Sequence, residues 1–296
     1  MPYLLIEAES FQEKGGWVVD TQSVPQMGSA YLMAHGLGTP VKNAETEVML
    51  PEAADWHAWV RTRNWSAEWG RGSAAGIFRL LADGNSYTET LGNKSKEWEW
   101  QYAGVMHLDA GTHKVALQDM TGFNGRCDCI YFTTEAGDIP QNTESYREQR
   151  AGVSVQEDDR YYDLVICGGG IAGTAMALTA IREGLKVALI QDRGMLGGCN
   201  SSEIKVGLGG YLHAEPYPNI GNVVEQISPV FNSPGAYPDE YYEDARKLKA
   251  FETVPAPYKG NYKLALNQRM IQAESRNGMI TAVIAKDMRD GSLYRY

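Results

Sequence analysis

Glycines 168, 170 and 173 stand in the spacing G-x-G-x-x-G, inside the stretch YYDLVICGGGIAGTAMALTAIREGLKVALIQDRGMLGGCNSSE that runs from 161 to 203. That spacing suits a diphosphate. The first glycine lets the chain turn tightly off a strand. The second lets backbone come close to a pyrophosphate, and the third lets a helix pack closely on a sheet. A helix opening at Ile171 and Ala172 then aims its unpaired first-turn N–H groups and its positive dipole end at the phosphates.

The elements needed to position these glycines are legible around them. Residues 161–167 are a short apolar run led by Asp163, the pattern of a strand buried on both faces. Residues 172–183 carry small and apolar side chains at helical spacing, with Gly184 placed to end the helix. Residues 186–190 are the next strand. A glycine-rich loop alone is weak evidence, but strand, turn, helix and strand together predict a βαβ unit that binds a dinucleotide. At the end of the second strand, where an acid usually holds the ribose hydroxyls, stands Gln191, whose amide both donates and accepts. Asp192 stands one residue later, and a one-residue shift turns a strand side chain to the other face.

The segment after the second strand, RGMLGGCNSSEIKVGLGG, resembles the FAD-dependent oxidoreductase family of the glutathione-reductase-like flavoprotein class. The resemblance covers residues 161–296 and implies an incomplete α/β Rossmann-type FAD-binding domain and a flavin-mediated redox reaction. It places Arg193, Gly197, Gly198, Cys199, Asn200 and Ser201 near the FAD. Cys199 sits where dithiol flavoenzymes place the first of two redox cysteines, but Asn200 and Ser201 come next. A flavin–disulfide relay is therefore excluded, and an iron–sulfur cluster would need more thiolates than this region offers. Cys199 is expected to be a small buried residue. For proton transfer the nearby titratable side chains are Glu203 and His213, the latter with an ordinary pKa suited to it. An NAD-binding domain stays open as the alternative, since Gln191 replaces the acid.

The first part of the chain is of another kind. All seven tryptophans lie within the first hundred residues. Residues 3–134 alternate in short stretches such as WHAWVRTRNW, AAGIFRLLA and CDCIYFTT, separated by turn signals such as Asp83-Gly84-Asn85, which predicts an all-β sandwich or jelly roll. Ile6-Glu7-Ala8-Glu9, WHAWVRT and Asp128-Cys129-Ile130 resemble carbohydrate-binding-module-type sandwiches. In such modules an early pair of glutamates and a late aspartate can hold a structural Ca²⁺, a hard ion that wants oxygen ligands. Glu7, Glu9 and Asp128 match that set, with ordinary strand-edge charges as the competing reading. Trp59 fits the core. Trp65 and Trp69 lie in the loop-like NWSAEWGRG, where exposed rings stack on a sugar or pack against the second domain. Cys127 and Cys129, two apart on a strand, are expected to face the same side as small buried residues, and Cys167 reads as core.

Three segments result: 1–135, the sandwich; 136–160, a polar linker with a helical turn at TESYREQR; and 161–296, the FAD-binding domain. Beyond the second glycine turn comes a long Pro-, Tyr- and Asn-rich connection to about 238. A helix over 239–249 with Asp239 as cap is next, then a strand from 261, and a hairpin over 279–296 turned at Asp290-Gly291. Flavoproteins of the class continue past this hairpin, so the chain reads as a fragment whose sheet edge invites pairing with a second copy. The net charge of −10 argues against a nucleic-acid backbone as partner. No apolar run reaches the roughly 18 residues of a membrane span. MPYLLIEAES shows no signal peptide, which gives a cytoplasmic default, or an external location if a leader has been removed. Together these readings predict an FAD-dependent oxidoreductase acting on a saccharide-related or other alcohol substrate. The alternative is a carbohydrate-binding protein with no redox activity.

Overall fold

The computed structural model describes residues 2–70, 74–152, 154–228 and 240–296. It divides into two compact units, Met1–Ser154 with Arg289–Gly291, and Val155–Met288 with Ser292–Tyr296.

Among the described residues the first unit has ten strands: β1 Tyr3–Glu7, β2 Trp17–Asp20, β3 Tyr31–His35, β4 Ala44–Leu50, β5 Ala54–Thr62, β6 Phe78–Ala82, β7 Asn85–Ser86, β8 Glu99–Leu108, β9 Gly111–Asp119 and β10 Phe123–Thr133. One sheet runs β2-β3-β10-β5-β8, and the other β4-β9-β6-β7. The long β10 shares one edge between β3, over residues 123–127, and β1, over residues 129–133. β4 shows why the sheets face each other: Ala44, Thr46, Val48 and Leu50 are buried while Glu47 and Met49 are exposed, the period-two signature of a half-buried strand. Side chains of both sheets, among them Leu32, Trp56, Phe132, Phe78 and Leu117, fill one core.

Two local irregularities re-aim side chains. A register shift in the pairing of β10 with β5 falls between Cys127 and Cys129, so the two cysteines do not share a face. Cys127 joins the inter-sheet core and Cys129 a separate cluster with Leu5 and Tyr131. A second shift lies between Ala58 and Trp59. Trp56 is the fully buried core indole, and Trp59 packs on the outer cluster against Tyr102, not in the core as its alternation suggested. Such bulges carry one extra residue and break the simple alternation.

After a four-residue helix α1, Val24–Met27, earlier in the unit, the helical turn expected in the linker is α2, Glu144–Ala151. The Thr143 hydroxyl accepts from the Tyr146 N–H at its start, a side-chain N-cap.

In the second unit β12 Leu164–Cys167, β13 Val187–Gln191 and β14 Tyr262–Leu266 form a parallel sheet with β13 central. Between β12 and β13 runs α3, Ile171–Arg182, with Thr174, Ala177, Leu178 and Ile181 buried at i, i+3, i+4 and i+7. It ends at Gly184, φ +91°, where the Leu185 N–H bonds the Ala180 carbonyl and the Gly184 N–H the Ile181 carbonyl, a Schellman cap. α4 Gly221–Ile227 and α5 Glu240–Glu252 complete the helical side. The expected cap Asp239 lies outside the described residues.

β11 Val155–Glu157, β15 Gln268–Arg276, β16 Met279–Asp287 and β17 Leu293–Arg295 form a second sheet in the order β11-β17-β16-β15. Residues 155–157, expected as linker, thus pair in parallel with β17. This sheet explains why every residue of β13 is buried. Val187 and Leu189 face the helices, while Ala188 and Ile190 face Val283, Ala285 and Tyr296.

Candidate functional site

The glycine turn leaves β12 at Gly168, φ +115°, whose N–H bonds the Ile190 carbonyl at 2.8 Å. Gly170 is the N-cap of α3. A Cβ on Gly173 would lie 1.9 Å from the Gly168 carbonyl oxygen, so only glycine lets the helix come this close to the turn. Cβ atoms on Gly168 and Gly170 would meet nothing within 4 Å. Two glycines thus present bare backbone to open space, and the third holds the helix start against them. Ile171 and Ala172 open that helix, whose first-turn N–H groups lack partners within it.

A second glycine turn is stitched to the first. The Gly197 N–H bonds the Gly169 carbonyl at 2.7 Å, and the Thr174 hydroxyl bonds the same carbonyl at 3.0 Å. Gly197 and Gly198 both have positive φ, +112° and +58°. A Cβ on Gly197 would fall 2.4 Å from both the Asn200 carbonyl and Cε of Lys247. The Ser201 hydroxyl bonds the Gly198 carbonyl at 2.7 Å, and Asn200 Nδ2 the Val206 carbonyl at 2.9 Å. Asn200 is 2 % exposed, and its Oδ1 has no hydrogen-bond partner among the described residues.

Gln191 does not present its amide to solvent. It is buried, its Oε1 accepts the Gly169 N–H at 2.7 Å, and its Nε2 donates to the Met195 carbonyl at 3.2 Å. Asp192 is half-buried beside it. Arg193 is exposed and pairs with Glu203 at 3.2 Å. Cys167 and Cys199 are both exposed, not buried as expected. Cys167 ends its strand where the chain turns away at Gly168, and Cys199 lies on the outside of a turn whose neighbour Asn200 points inward.

The two candidate proton carriers are each engaged. The Glu203 carboxylate faces Arg193. His213 contacts the Pro218 carbonyl through Nδ1 at 2.6 Å and Glu225 through Nε2 at 2.9 Å. The bond to Glu225, then that to Pro218, hold its pKa above the ordinary histidine value.

The site also uses residues that sequence reasoning passed over. Asp244 accepts the Ser202 N–H at 3.2 Å, and Lys247, fully buried, lays its stem against Gly197. A signal for Lys247 existed. Positions 247, 250, 251 and 254 form one buried stripe of α5 and its exit, so this lysine occupies a core position of the helical repeat.

In the first unit two of the three carboxylates expected to face calcium, Glu7 and Asp128, face arginine instead. Arg147 from α2 meets Glu7 Oε2 at 2.6 Å and Asp128 Oδ2 at 3.3 Å, and Arg61 meets Asp128 Oδ2 at 2.7 Å. Ser29 bonds Asp128 as well, and Arg147 also reaches the Met27 carbonyl. Burial opposes the charge of Arg147, but Asp128 and then Glu7 outweigh it and hold its pKa well above the ordinary value. Glu7, Asp128 and Cys129 bring ligand atoms within 4.8 Å of one another, and Glu9 is fully buried. The negative charge of Glu7 and Asp128 is thus met by two guanidinium groups.

Trp65 and Trp69 do come together, with ring centroids 5.2 Å apart. Trp65 stacks at 4° on Phe123, donates from Nε1 to the Phe123 carbonyl at 2.9 Å, and lies under Arg126. Trp69 is 64 % exposed and Phe123 47 %.

Comparison with known proteins adds to this geometry. Residues 163–295 match the FAD dependent oxidoreductase family. That stretch spans both glycine turns and the sheet that carries them. A glycerol-3-phosphate dehydrogenase of Mycobacterium leprae (strain TN) is 37 % identical over 68 residues, 23 % of this chain and 12 % of that protein. An aerobic glycerol-3-phosphate dehydrogenase of Staphylococcus aureus (strain USA300) is 35 % identical over 81 residues, 27 % of this chain and 14 % of that protein. The alignments thus cover about an eighth of the curated relatives' lengths. Among solved structures, a family 35 carbohydrate binding module from Clostridium thermocellum is 18 % identical, with a TM-score of 0.35, over 46 % of this chain and all of that one. The C-terminal CBM6 of LamC from Zobellia galactanivorans is 16 % identical, with a TM-score of 0.34, over 45 % of this chain and 99 % of that one. No helix among the described residues is long and apolar enough to cross a membrane.

Proposed function

We propose that the second unit is a Rossmann-type domain of the glutathione-reductase-like class. It holds FAD with the diphosphate over the Gly168–Gly170 turn and the start of α3. The carrying observation is the pair of stitched glycine turns, with Gly168 and Gly170 facing open space and Gly173 pressed on Gly168. The family match over residues 163–295 supports the choice of FAD over NAD. The buried Asn200 Oδ1 is an acceptor still awaiting a donor among the described residues, and a flavin dinucleotide carries such donors. When bound, the flavin supplies the capacity to take a hydride from an alcohol carbon. We read the substrate as an alcohol, saccharide-related or smaller. Two matched relatives are named as dehydrogenases of glycerol 3-phosphate, an alcohol.

The chain's own residues then have defined tasks. The N–H groups at the start of α3 orient the diphosphate. Arg193 holds the Glu203 carboxylate in place beside the second turn. His213 holds a proton at Nδ1 toward Pro218 and, when charged, another at Nε2 toward Glu225. Glu203 and His213 are the proposed proton carriers.

The test is a visible absorption spectrum of the purified chain before and after incubation with FAD and desalting. A retained flavin spectrum, lost in Gly173→Ala, supports the reading. A folded chain that retains NAD but no flavin overturns it.

A second reading concerns the first unit alone. The Trp65, Trp69 and Phe123 cluster offers an exposed aromatic face held from behind by Arg126, a surface suited to the apolar face of a sugar ring. Quenching of tryptophan fluorescence by an oligosaccharide, abolished in Trp69→Ala, supports this. Quenching that persists in the variant places sugar binding away from this cluster.

A further inference from the structure

The sequence position of Gln191 suggests a residue that holds a ribose hydroxyl. Both ends of its amide are already spent: Oε1 on the Gly169 N–H at 2.7 Å and Nε2 on the Met195 carbonyl at 3.2 Å. The orientation of the amide is set by its partners. The reverse placement would set NH₂ against N–H and oxygen against oxygen. Gly169 belongs to the first glycine turn and Met195 to the segment that leads into the second. One buried side chain at the end of β13 therefore bridges both.

A second observation comes from the glycine that the G-x-G-x-x-G spacing does not demand. Gly169 occupies the first variable position, yet a Cβ there would fall 2.6 Å from Leu196 Cδ2 and 3.1 Å from Gln191 Cβ. The space a side chain would need is filled by the stem of Gln191 and by Leu196, which is fully buried. A glycine at 169 and a neutral amide at 191 are thus two halves of one arrangement. A carboxylate at 191 would still accept from Gly169 but would turn a bare oxygen to the Met195 carbonyl.

We propose that Gln191 is a positioning residue that clamps the two glycine turns in register, and so prepares the cradle for a dinucleotide diphosphate rather than binding the ribose itself. This rests on the cofactor reading above. The clamp and the cofactor can nevertheless be tested apart, because the clamp exists in the cofactor-free chain.

The experiment measures amide hydrogen exchange at Gly169 in the cofactor-free protein, and FAD affinity by fluorescence titration, for wild type, Gln191→Met and Gln191→Glu. In Gln191→Met, exchange at Gly169 is expected to rise by about tenfold or more, and FAD affinity to fall by about tenfold, the loss of two buried hydrogen bonds. Gln191→Glu keeps the acceptor for Gly169. Its exchange there is expected to stay near wild type, while its FAD affinity falls by several-fold through the lost donor to Met195. Should Gln191→Met fail to fold, Gln191→Leu, which also removes both hydrogen bonds, is read by the same two measurements.

Unchanged Gly169 exchange in Gln191→Met overturns the clamp. In Gln191→Met, weakened FAD binding with unchanged Gly169 exchange assigns Gln191 to direct contact with the cofactor and also overturns it. Altered exchange with wild-type FAD affinity removes the positioning role. If the wild-type chain binds no FAD, the cofactor reading fails, and a rise in exchange then supports the clamp as a property of the fold.

Discussion

The two units handle buried polarity in opposite ways. In the sandwich, Glu7 and Asp128 are taken out of water and answered by Arg147 and Arg61, with Ser29 and the Met27 carbonyl completing the set. In the parallel-sheet unit the polar groups of the first glycine turn are backbone. They are stitched to one another from behind by Gln191, Thr174 and Gly197, while the faces of Gly168 and Gly170 stay open. The first arrangement is closed: each charge has a partner carried by the same unit. The second is held rigid on one side and left bare on the other. A closed cluster serves the fold, since breaking it leaves an uncompensated charge. A braced but open cradle serves a ligand, since its donors are already in place when the ligand arrives.

The largest effect should come from opening the closed cluster. Arg147 is 2 % exposed and joins residues 140 positions apart through its bond to Glu7. Arg147→Ala should cost about 3–5 kcal/mol, the usual loss when one partner of a buried ion pair is removed. It is read by denaturant unfolding followed through tryptophan fluorescence, since all seven tryptophans lie in that unit. Millimolar calcium should leave the wild-type curve in place. A stabilising shift with calcium would mean that these carboxylates still accept a metal ion.

Filling the open cradle comes next. Gly173→Ala places a methyl 1.9 Å from the Gly168 carbonyl, so the helix start must move. Overpacking of this kind costs about 1–3 kcal/mol, and flavin retention after desalting should be lost. A variant that keeps both the flavin and wild-type stability would show that the close approach is not needed.

A smaller effect tests whether half-open ion pairs behave like the buried one. Partial burial lowers the pKa of His113, but the hydrogen bonds accepted by Asp83 and by the Asp109 carbonyl outweigh it and raise the pKa above its ordinary value. Its hydrogen bond to Asp83 is in turn the main reason the aspartate's pKa is lowered. The histidine's contribution is complete below its ordinary value, about 6.5, and is lost as pH rises through the raised folded value. The aspartate's contribution is present above its ordinary value of 3.8 and is lost as pH falls through the lowered one. Stability of the sandwich should therefore decline by a few tenths of a kcal/mol from about pH 5.5 to about 8.5, and His113→Gln should flatten that decline. A decline of equal size in the variant assigns the pH dependence elsewhere.

The smallest change in stability is expected at Trp69, which is 64 % exposed. Trp69→Ala should shift unfolding by less than about 0.5 kcal/mol. A larger loss would make the aromatic cluster part of the core rather than a surface.

Much of the parallel-sheet unit was legible in the sequence because its signals are local. Gly184 ends α3 through a positive φ that glycine alone adopts freely. The apolar stripe of α3, the unbroken burial of β13 and the hairpin of β16 and β17 each arise from periodicity within one segment. The glycine spacing also announced which backbone would be bare. What was misjudged lay in partners. Trp59 and Cys129 changed face because a bulge depends on the neighbouring strand, not on the strand's own residues. Cys167 and Cys199 are apolar enough for a core, yet each sits where the chain turns outward.

The sequence by itself determined where helices and strands run, which of their faces are apolar, and where only glycine can stand. These are properties of neighbouring residues and of φ, ψ sterics. Only the tertiary structure decided that Arg147 reaches Glu7, that Lys247 lies under Gly197, and that Gln191 turns inward to Gly169 and Met195. Each of these depends on segments brought together by packing. A buried polar group takes whichever partner the fold sets within about 3 Å, and sequence separation has no influence on that distance.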